Sequence, residues 1–261
     1  MSVSFAVIGG GNMAKAIVGG AIRGGILNSC EIAVADPDQT SREYFEELGC
    51  TTTASASDLP VASCTLLAVK PQVFELVAQD VNTDIVYSIM AGVTTGRIAD
   101  AIGHNRIVRI MPNLPCSIGY GATGIALGQS ASQEDAALAI DLFSQIGHVT
   151  QVPEDLMDAV TAVSGSGPAY VFLLAEAMIE GGVQSGLDYD TSDAFVRQTI
   201  LGAAALLLQD DRSASELREA VTSKGGTTAA ALQVMNERDV YDAIVAAVIA
   251  ARDRGKELDQ T

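Results

Sequence analysis

The 261-residue chain carries 15 Lys and Arg against 32 Asp and Glu, a formal net charge of −17, which argues against nucleic acid or an anionic membrane as partner because phosphate binding needs surplus cations. A chain of this length accommodates one large or two ordinary domains and buries about 70 to 75% of its unfolded surface, so neither metal nor disulfide is needed to hold it. The cysteines Cys30, Cys50, Cys64 and Cys116 never form C-x-x-C, which leaves zinc, iron–sulfur and dithiol sites without support and points to buried free thiols.

The first residues, MSVSFAVIGGG, lack a charged leader region and a cleavage site, and the expected location is the cytoplasm. Residues 4–9, SFAVIG, form a short apolar run that predicts a buried strand. It leads into Gly9-Gly10-Gly11-Asn12-Met13-Ala14, which fits the dinucleotide fingerprint G-x-G-x-x-A: the glycines permit a tight turn and close approach of a pyrophosphate, and Ala14 permits close packing of helix on strand. A helix over 13–23 and a second strand over 31–36 follow. Asp36 ends that strand, where a carboxylate accepts hydrogen bonds from an adenosine ribose and favours NAD, although an aspartate before Pro37 also suits a simple turn. Arg42 is the nearest cation for a 2′-phosphate, so NAD and NADP both stay open.

Further strands are predicted over 65–69, 84–90, 106–111, 122–127 and 148–152, alternating with helical patterns, which reads as a doubly wound α/β sheet over residues 1–153. Pro71 starts a helix after Lys70, and Ser132 caps a helix over 133–146 with Asp135 at its third position. The longest charge-free stretch, 110–133, holds two prolines and four glycines and so does not read as a membrane helix. After residue 154 the strand pattern disappears, and 154–261 read as a second, all-helical domain with a capping box at Ser213 and Glu216. Its alanine-rich helices have too little polar face to stand alone, which predicts a two-fold dimer with the active site where this domain meets the nucleotide domain, although a helical domain packed wholly against its own sheet would also cover them.

Residues 221–232, VTSKGGTTAAAL, place a Gly-Gly turn before a helix opened by two threonines. Such a turn lets backbone amides approach a ligand, and the first helical turn offers unpaired N–H groups with partial positive charge, a setting for a small carboxylate or phosphate. An ordinary helix start after a turn has the same pattern. His104 and His148 are the only histidines and lie outside these motifs, which counts against dehydrogenases that use a histidine base.

Taken together, GGGNMAKAI at 9–17, LAVKPQ at 67–72, SIMAGVT at 88–94, RIMPNLP at 109–115, AVSGSGPAYVF at 162–172 and LREAVTSKGGTTAAAL at 217–232 resemble pyrroline-5-carboxylate reductase, of the 6-phosphogluconate-dehydrogenase-like two-domain superfamily. Lys224 stands where that family usually has proline, and Ala56 where an asparagine that contacts the cofactor is common. The resemblance implies NAD(P)H-dependent reduction of a cyclic imino acid to proline, an N-terminal Rossmann-type sheet and a helical dimerisation domain, with larger assemblies of dimers left open. It implies that Thr228 hydrogen-bonds the imine nitrogen and that Ser223, Gly225, Gly226, Thr227 and Thr228 hold the substrate carboxylate. The segment Ser164-Gly165-Ser166-Gly167-Pro168 reads as a kink in a long helix, as backbone presented to the substrate ring by Ser166 and Gly167, or as both at once. For the dinucleotide it implies Gly9, Gly11, Asn12, Met13 and Asp36 on one side, and Ala68, Val69, Lys70, Pro71 and Asn113 on the other. Lys70 also fits a surface lysine, and Asn113 a turn residue. No metal site is expected. A β-hydroxyacid dehydrogenase of similar plan would need a catalytic lysine in the first helix of the second domain, and 156–182 contain none. A non-catalytic dinucleotide sensor is the remaining alternative.

Overall fold

The computed structural model describes residues 3–258. The chain divides into two compact units: residues up to Pro168 together with those from Ile249 onward, and Ala169–Val248.

The first unit contains an eight-stranded sheet: β1 (Phe5–Ile8), β2 (Ile32–Ala35), β3 (Thr51–Thr53), β4 (Ala62–Leu67), β5 (Thr83–Ser88), β6 (Ile107–Met111), β7 (Gly121–Leu127) and β8 (Gly147–Gln151). The strand order is β3-β2-β1-β4-β5-β6-β7-β8, and every pair is parallel except β6 with β7. The connecting helices are α1 (Asn12–Arg23), α2 (Gln39–Glu47), the single turn α3 (Phe74–Val77), α4 (Thr95–Ile102) and α5 (Gln133–Ser144).

The strands β1 and β2 are buried at every residue, as a parallel sheet covered on both faces requires. Alternation sends Phe5 and Val7 into a core with Ile17, Phe45, Tyr87 and Phe143, and Ile8 into a second core with Leu67, Phe74, Val86 and Ile98. Each such side chain contributes about 1.5 to 3 kcal/mol by leaving water. Because β4 returns to pair with β1 on the side away from β2, the strand order reverses between them and opens a crevice at their carboxyl ends.

The unpredicted strand is β3, three exposed or half-buried threonines at the sheet edge, with no apolar run to announce it. The helix expected from Pro71 is a 3₁₀ turn, Pro71–Val73, running into α3. Both capping boxes form, at Ser132 with Asp135 and at Ser213 with Glu216. Cys50, Cys64 and Cys116 are buried, and burial pushes the Cys50 thiol up to about 11 and that of Cys64 well above the usual range. The expectation fails for Cys30, which is exposed within the short 3₁₀ turn before β2, Ser29–Glu31. His104 is half-buried, and desolvation, reinforced by Arg106, holds its pKa below the ordinary value.

Beyond β8 come α6 (Met157–Val160), a π-turn over Thr161–Gly165, and the helices α7 (Gly167–Gln184), α8 (Tyr189–Gln209), α9 (Ala214–Ala220), α10 (Thr227–Glu237) and α11 (Val240–Leu258). Within the second unit only Ser192 and Val196 are buried, and large apolar side chains such as Phe172, Leu206, Leu208 and Ile244 stand exposed. Helices apolar on all sides need cover from elsewhere. By length and composition one helical run among the described residues, Glu154–Gln184, is apolar enough to cross a membrane. In the first unit, Gly255 near the end of α11 lies so close to Asp158 that a Cβ there would stand 3.0 Å from Oδ1.

Candidate active site

The loop after β1 is shaped by contacts only glycine allows. Gly9 adopts φ +102°, and a Cβ there would lie 2.7 Å from the carbonyl oxygen of Ala68, so the ends of β1 and β4 meet without room for a side chain. Gly11 precedes α1 with no side chain capping it, which leaves first-turn N–H groups for an anion. Ala14 is buried, Met13 is half-buried and packs its side chain against the core, and Asn12 is exposed.

Asp36 closes the other wall. Its Oδ2 accepts the Gly10 N–H at 2.6 Å and its Oδ1 the Asp38 N–H at 2.8 Å, so both oxygens are fixed by backbone donors. Arg42 Nη1 donates instead to the main-chain oxygens of Asp36 and Pro37, at 2.8 and 2.9 Å. Across the crevice, Ala68 and Val69 are half-buried, and exposed Lys70 precedes the Pro71 turn. The glycine cradle, the open helix end and the fixed carboxylate fit a dinucleotide. Ala56 is buried within the second core and has no polar group to offer it.

The Asn113 side chain takes a position that its place in the sequence does not announce. It is 8% exposed, its Oδ1 accepts the Ala122 N–H at 2.9 Å, and its Nδ2 donates to the Ser164 carbonyl at 3.0 Å. Both ends of the carboxamide are thus engaged with backbone groups inside the protein. Ser164 belongs to the π-turn, where Ser166 N–H bonds Thr161 O at 2.8 Å, and half-buried Ser166 and Gly167 follow directly. Within β6, buried Arg109 pairs with Glu154 at 3.6 Å and Asp158 at 3.8 Å, and Glu154 also accepts the Thr95 N–H at 2.7 Å. The cue for this cluster is a lone arginine in the apolar run IVRIM.

In the second unit, Ser223 to Gly226 form a tight turn closed by Gly226 N–H to Ser223 O at 3.0 Å, with Gly225 at φ +73°. A Cβ at Gly226 would stand 2.3 Å from Ser223 Oγ. Lys224 is exposed, and the left-handed position falls on Gly225. Gly226 begins α10 with no side-chain cap, so the first N–H groups of that helix are available to an anion. Thr227 is exposed and Thr228 half-buried in the first turn. The first unit thus gathers Gly9 to Met13, Asp36 and Ala68 to Pro71 around one crevice, and joins Asn113 to the segment before Ser166.

A family model described as pyrroline-5-carboxylate reductase dimerisation matches residues 154–258, and one described as NADP oxidoreductase, coenzyme F420-dependent, matches residues 4–92. The pyrroline-5-carboxylate reductase of Synechocystis sp. is 39% identical over 99% of both chains, and that of Methanosarcina acetivorans 38% identical over 96% of both. Among solved structures, the reductase from Coxiella burnetii superposes with a TM-score of 0.90 at 36% identity over 99% of both chains. The Plasmodium falciparum pyrroline carboxylate reductase, solved with NADP bound, gives 0.86 at 26% identity over 98% of both. With a glycine-lined crevice in the sheet unit, a helical segment that matches the dimerisation model and relatives that align over nearly the whole length, the chain belongs to the pyrroline-5-carboxylate reductase family.

Proposed function

We propose that this protein reduces the C=N bond of 1-pyrroline-5-carboxylate to L-proline with NADPH or NADH, the last step of proline biosynthesis. The observation that carries the reading is the uncapped start of α10 behind the Gly225-Gly226 turn, which offers backbone donors to a carboxylate and a threonine hydroxyl beside them. A charge-assisted hydrogen bond contributes about 1.5 to 3 kcal/mol net, so two or three backbone donors hold a small acid without an arginine. Ser223, Gly225, Gly226 and Thr227 form this carboxylate site, and Ser166 and Gly167 face the ring.

Gly9, Gly11, Asn12 and Met13 hold the pyrophosphate of the dinucleotide, Asp36 its adenosine ribose, and Ala68, Val69, Lys70, Pro71 and the backbone of Asn113 its nicotinamide half. Bound there, the reduced nicotinamide supplies a hydride to the imine carbon. Thr228 donates its hydroxyl hydrogen bond to the ring nitrogen as negative charge develops on that atom, and relays a proton from water to it, so that one hydride and one proton complete the amine. A threonine hydroxyl is too weak an acid to protonate the ground state, so its contribution is greatest in the transition state.

Residues 1–153 serve as the nucleotide-binding part and 154–261 as the substrate and dimerisation part of a cytoplasmic homodimer, which can itself build larger assemblies. A second copy, in place of a membrane, covers the apolar helices: Glu154–Gln184 is interrupted by a π-turn and lies in the segment that matches the dimerisation model. The test is dinucleotide oxidation by purified protein. Reduced NAD or NADP is consumed with pyrroline-5-carboxylate and not with keto acids that lack the C=N bond; faster turnover of a 3-keto acid would overturn the reading.

A further inference from the structure

In a continuous α-helix the carbonyl of residue 164 accepts the N–H of residue 168, but residue 168 is proline and has none. The sequence therefore orphans the Ser164 carbonyl inside the π-turn, where the backbone has already widened to let Ser166 N–H reach Thr161 O. Asn113, 51 residues earlier in the chain, supplies the missing donor at 3.0 Å, and the other end of its carboxamide is pinned by the Ala122 N–H. The turn is held from a second direction as well. Gly165 faces Met111, so closely that a Cβ would come within 2.7 Å of its Cε. Single π-turns are strained against the α-helix and persist where their surroundings hold them, commonly at functional sites.

We propose that Asn113 is a positioning residue for the imino acid: its carboxamide replaces the hydrogen bond that Pro168 withholds, and so fixes the π-turn that aims Ser166 and Gly167 at the substrate ring. The inference rests on the proposed reduction of a cyclic imine. Asn113 acts through Ser164, and its side chain touches neither substrate nor dinucleotide.

Three variants test this in the full-length protein. Asn113→Ala removes both hydrogen bonds, and Asn113→Asp keeps the acceptor for Ala122 while losing the donor to Ser164. In both, KM for pyrroline-5-carboxylate should rise about tenfold, the effect of one lost hydrogen bond, while the dissociation constant of the reduced dinucleotide, measured by fluorescence, stays within about twofold. The double variant Asn113→Ala with Pro168→Ala returns a backbone N–H to the helix. It should regain melting temperature, yet KM should stay high because the turn relaxes toward α-helical geometry and Ser166 is rotated away. Recovery of KM together with melting temperature would reduce Asn113 to a structural residue and overturn the proposal, as would unchanged KM in both single variants. Wild-type protein inactive on pyrroline-5-carboxylate would overturn the proposed function as well, whereas active wild type with insensitive variants overturns the positioning role alone.

Discussion

Asp36 and Gly10 are locked together: the carboxylate at the end of β2 accepts the N–H of the middle glycine after β1 at 2.6 Å. With its second oxygen bound to Asp38 N–H, the group cannot swing away from an incoming ribose. A 2′-hydroxyl can donate to its remaining lone pairs, whereas a 2′-phosphate meets like charge, and Arg42 is engaged with main-chain oxygens. The protein is therefore expected to have a higher kcat/KM with NADH than with NADPH. Asp36→Ser should shift that ratio toward NADPH by about tenfold or more, as loss of one like-charge contact of about 1.4 kcal/mol requires. Steady-state kinetics with both dinucleotides check this, and a wild-type preference for NADPH would contradict it.

On the proposed reaction, Thr228→Ala removes the donor to the ring nitrogen and leaves the backbone amides of the turn in place. Turnover should fall by about 10²- to 10³-fold, or roughly 2.7 to 4 kcal/mol, with a much smaller change in KM. Thr228→Ser should restore part of the rate, and Thr227→Ala, on the exposed neighbour, should lose far less. If both alanine variants differ from wild type in KM alone, Thr228 binds substrate without assisting the proton.

Buried Asp135 is held by Arg106 through a two-pronged contact, 2.6 Å from Nη2 and 3.2 Å from Nε, and its backbone oxygen accepts the Tyr87 hydroxyl at 2.7 Å. The Arg106 hydrogen bond keeps the Asp135 carboxyl below its ordinary pKa against the opposing effect of burial. A carboxyl lowered in the folded state stabilises the fold above its unfolded pKa, and that stability is lost as pH falls through the folded value. Arg106→Ala should thus lower the melting temperature by a few degrees at neutral pH, and the gap to wild type should close as the solution is acidified below the usual carboxylate range. A gap independent of pH, followed by calorimetry, would assign the loss to packing.

Among residues 169–248 only Ser192 and Val196 are buried. If a second copy covers the rest, as proposed, melting temperature should rise with protein concentration, and helicity and association should be lost in one transition. Circular dichroism and light scattering over a dilution series check this; a folded, active monomer at micromolar concentration would refute the dimer.

Signals local in the chain were legible. The runs FAVI and IAVA announce strands buried on both faces, and Gly9 and Gly225 mark backbone positions that favour glycine. Thr51–Thr53 escaped notice because a polar three-residue edge strand is defined by its pairing with β2 and not by its own pattern. The inward turn of Asn113 escaped for a related reason, since its partner is a carbonyl made needy by a proline four residues further on. The spacing Ser164-x-x-x-Pro168 signals the orphaned carbonyl but not which side chain answers it. Arg109, with partners at Glu154 and Asp158, is likewise a matter of tertiary approach.

The close approach of Gly255 to Asp158 also bears on how the chain is made. Residues from Ile249 onward belong to the first unit, yet the ribosome delivers them after every residue of the second. Domains generally fold in the order of synthesis, but here the sheet unit waits for its last helical piece while about eighty intervening, largely apolar residues have already emerged. A nascent chain that has not yet reached Gly255 therefore leaves Asp158 without its cover, so the sheet unit can be completed only once the residues beyond the second unit have emerged.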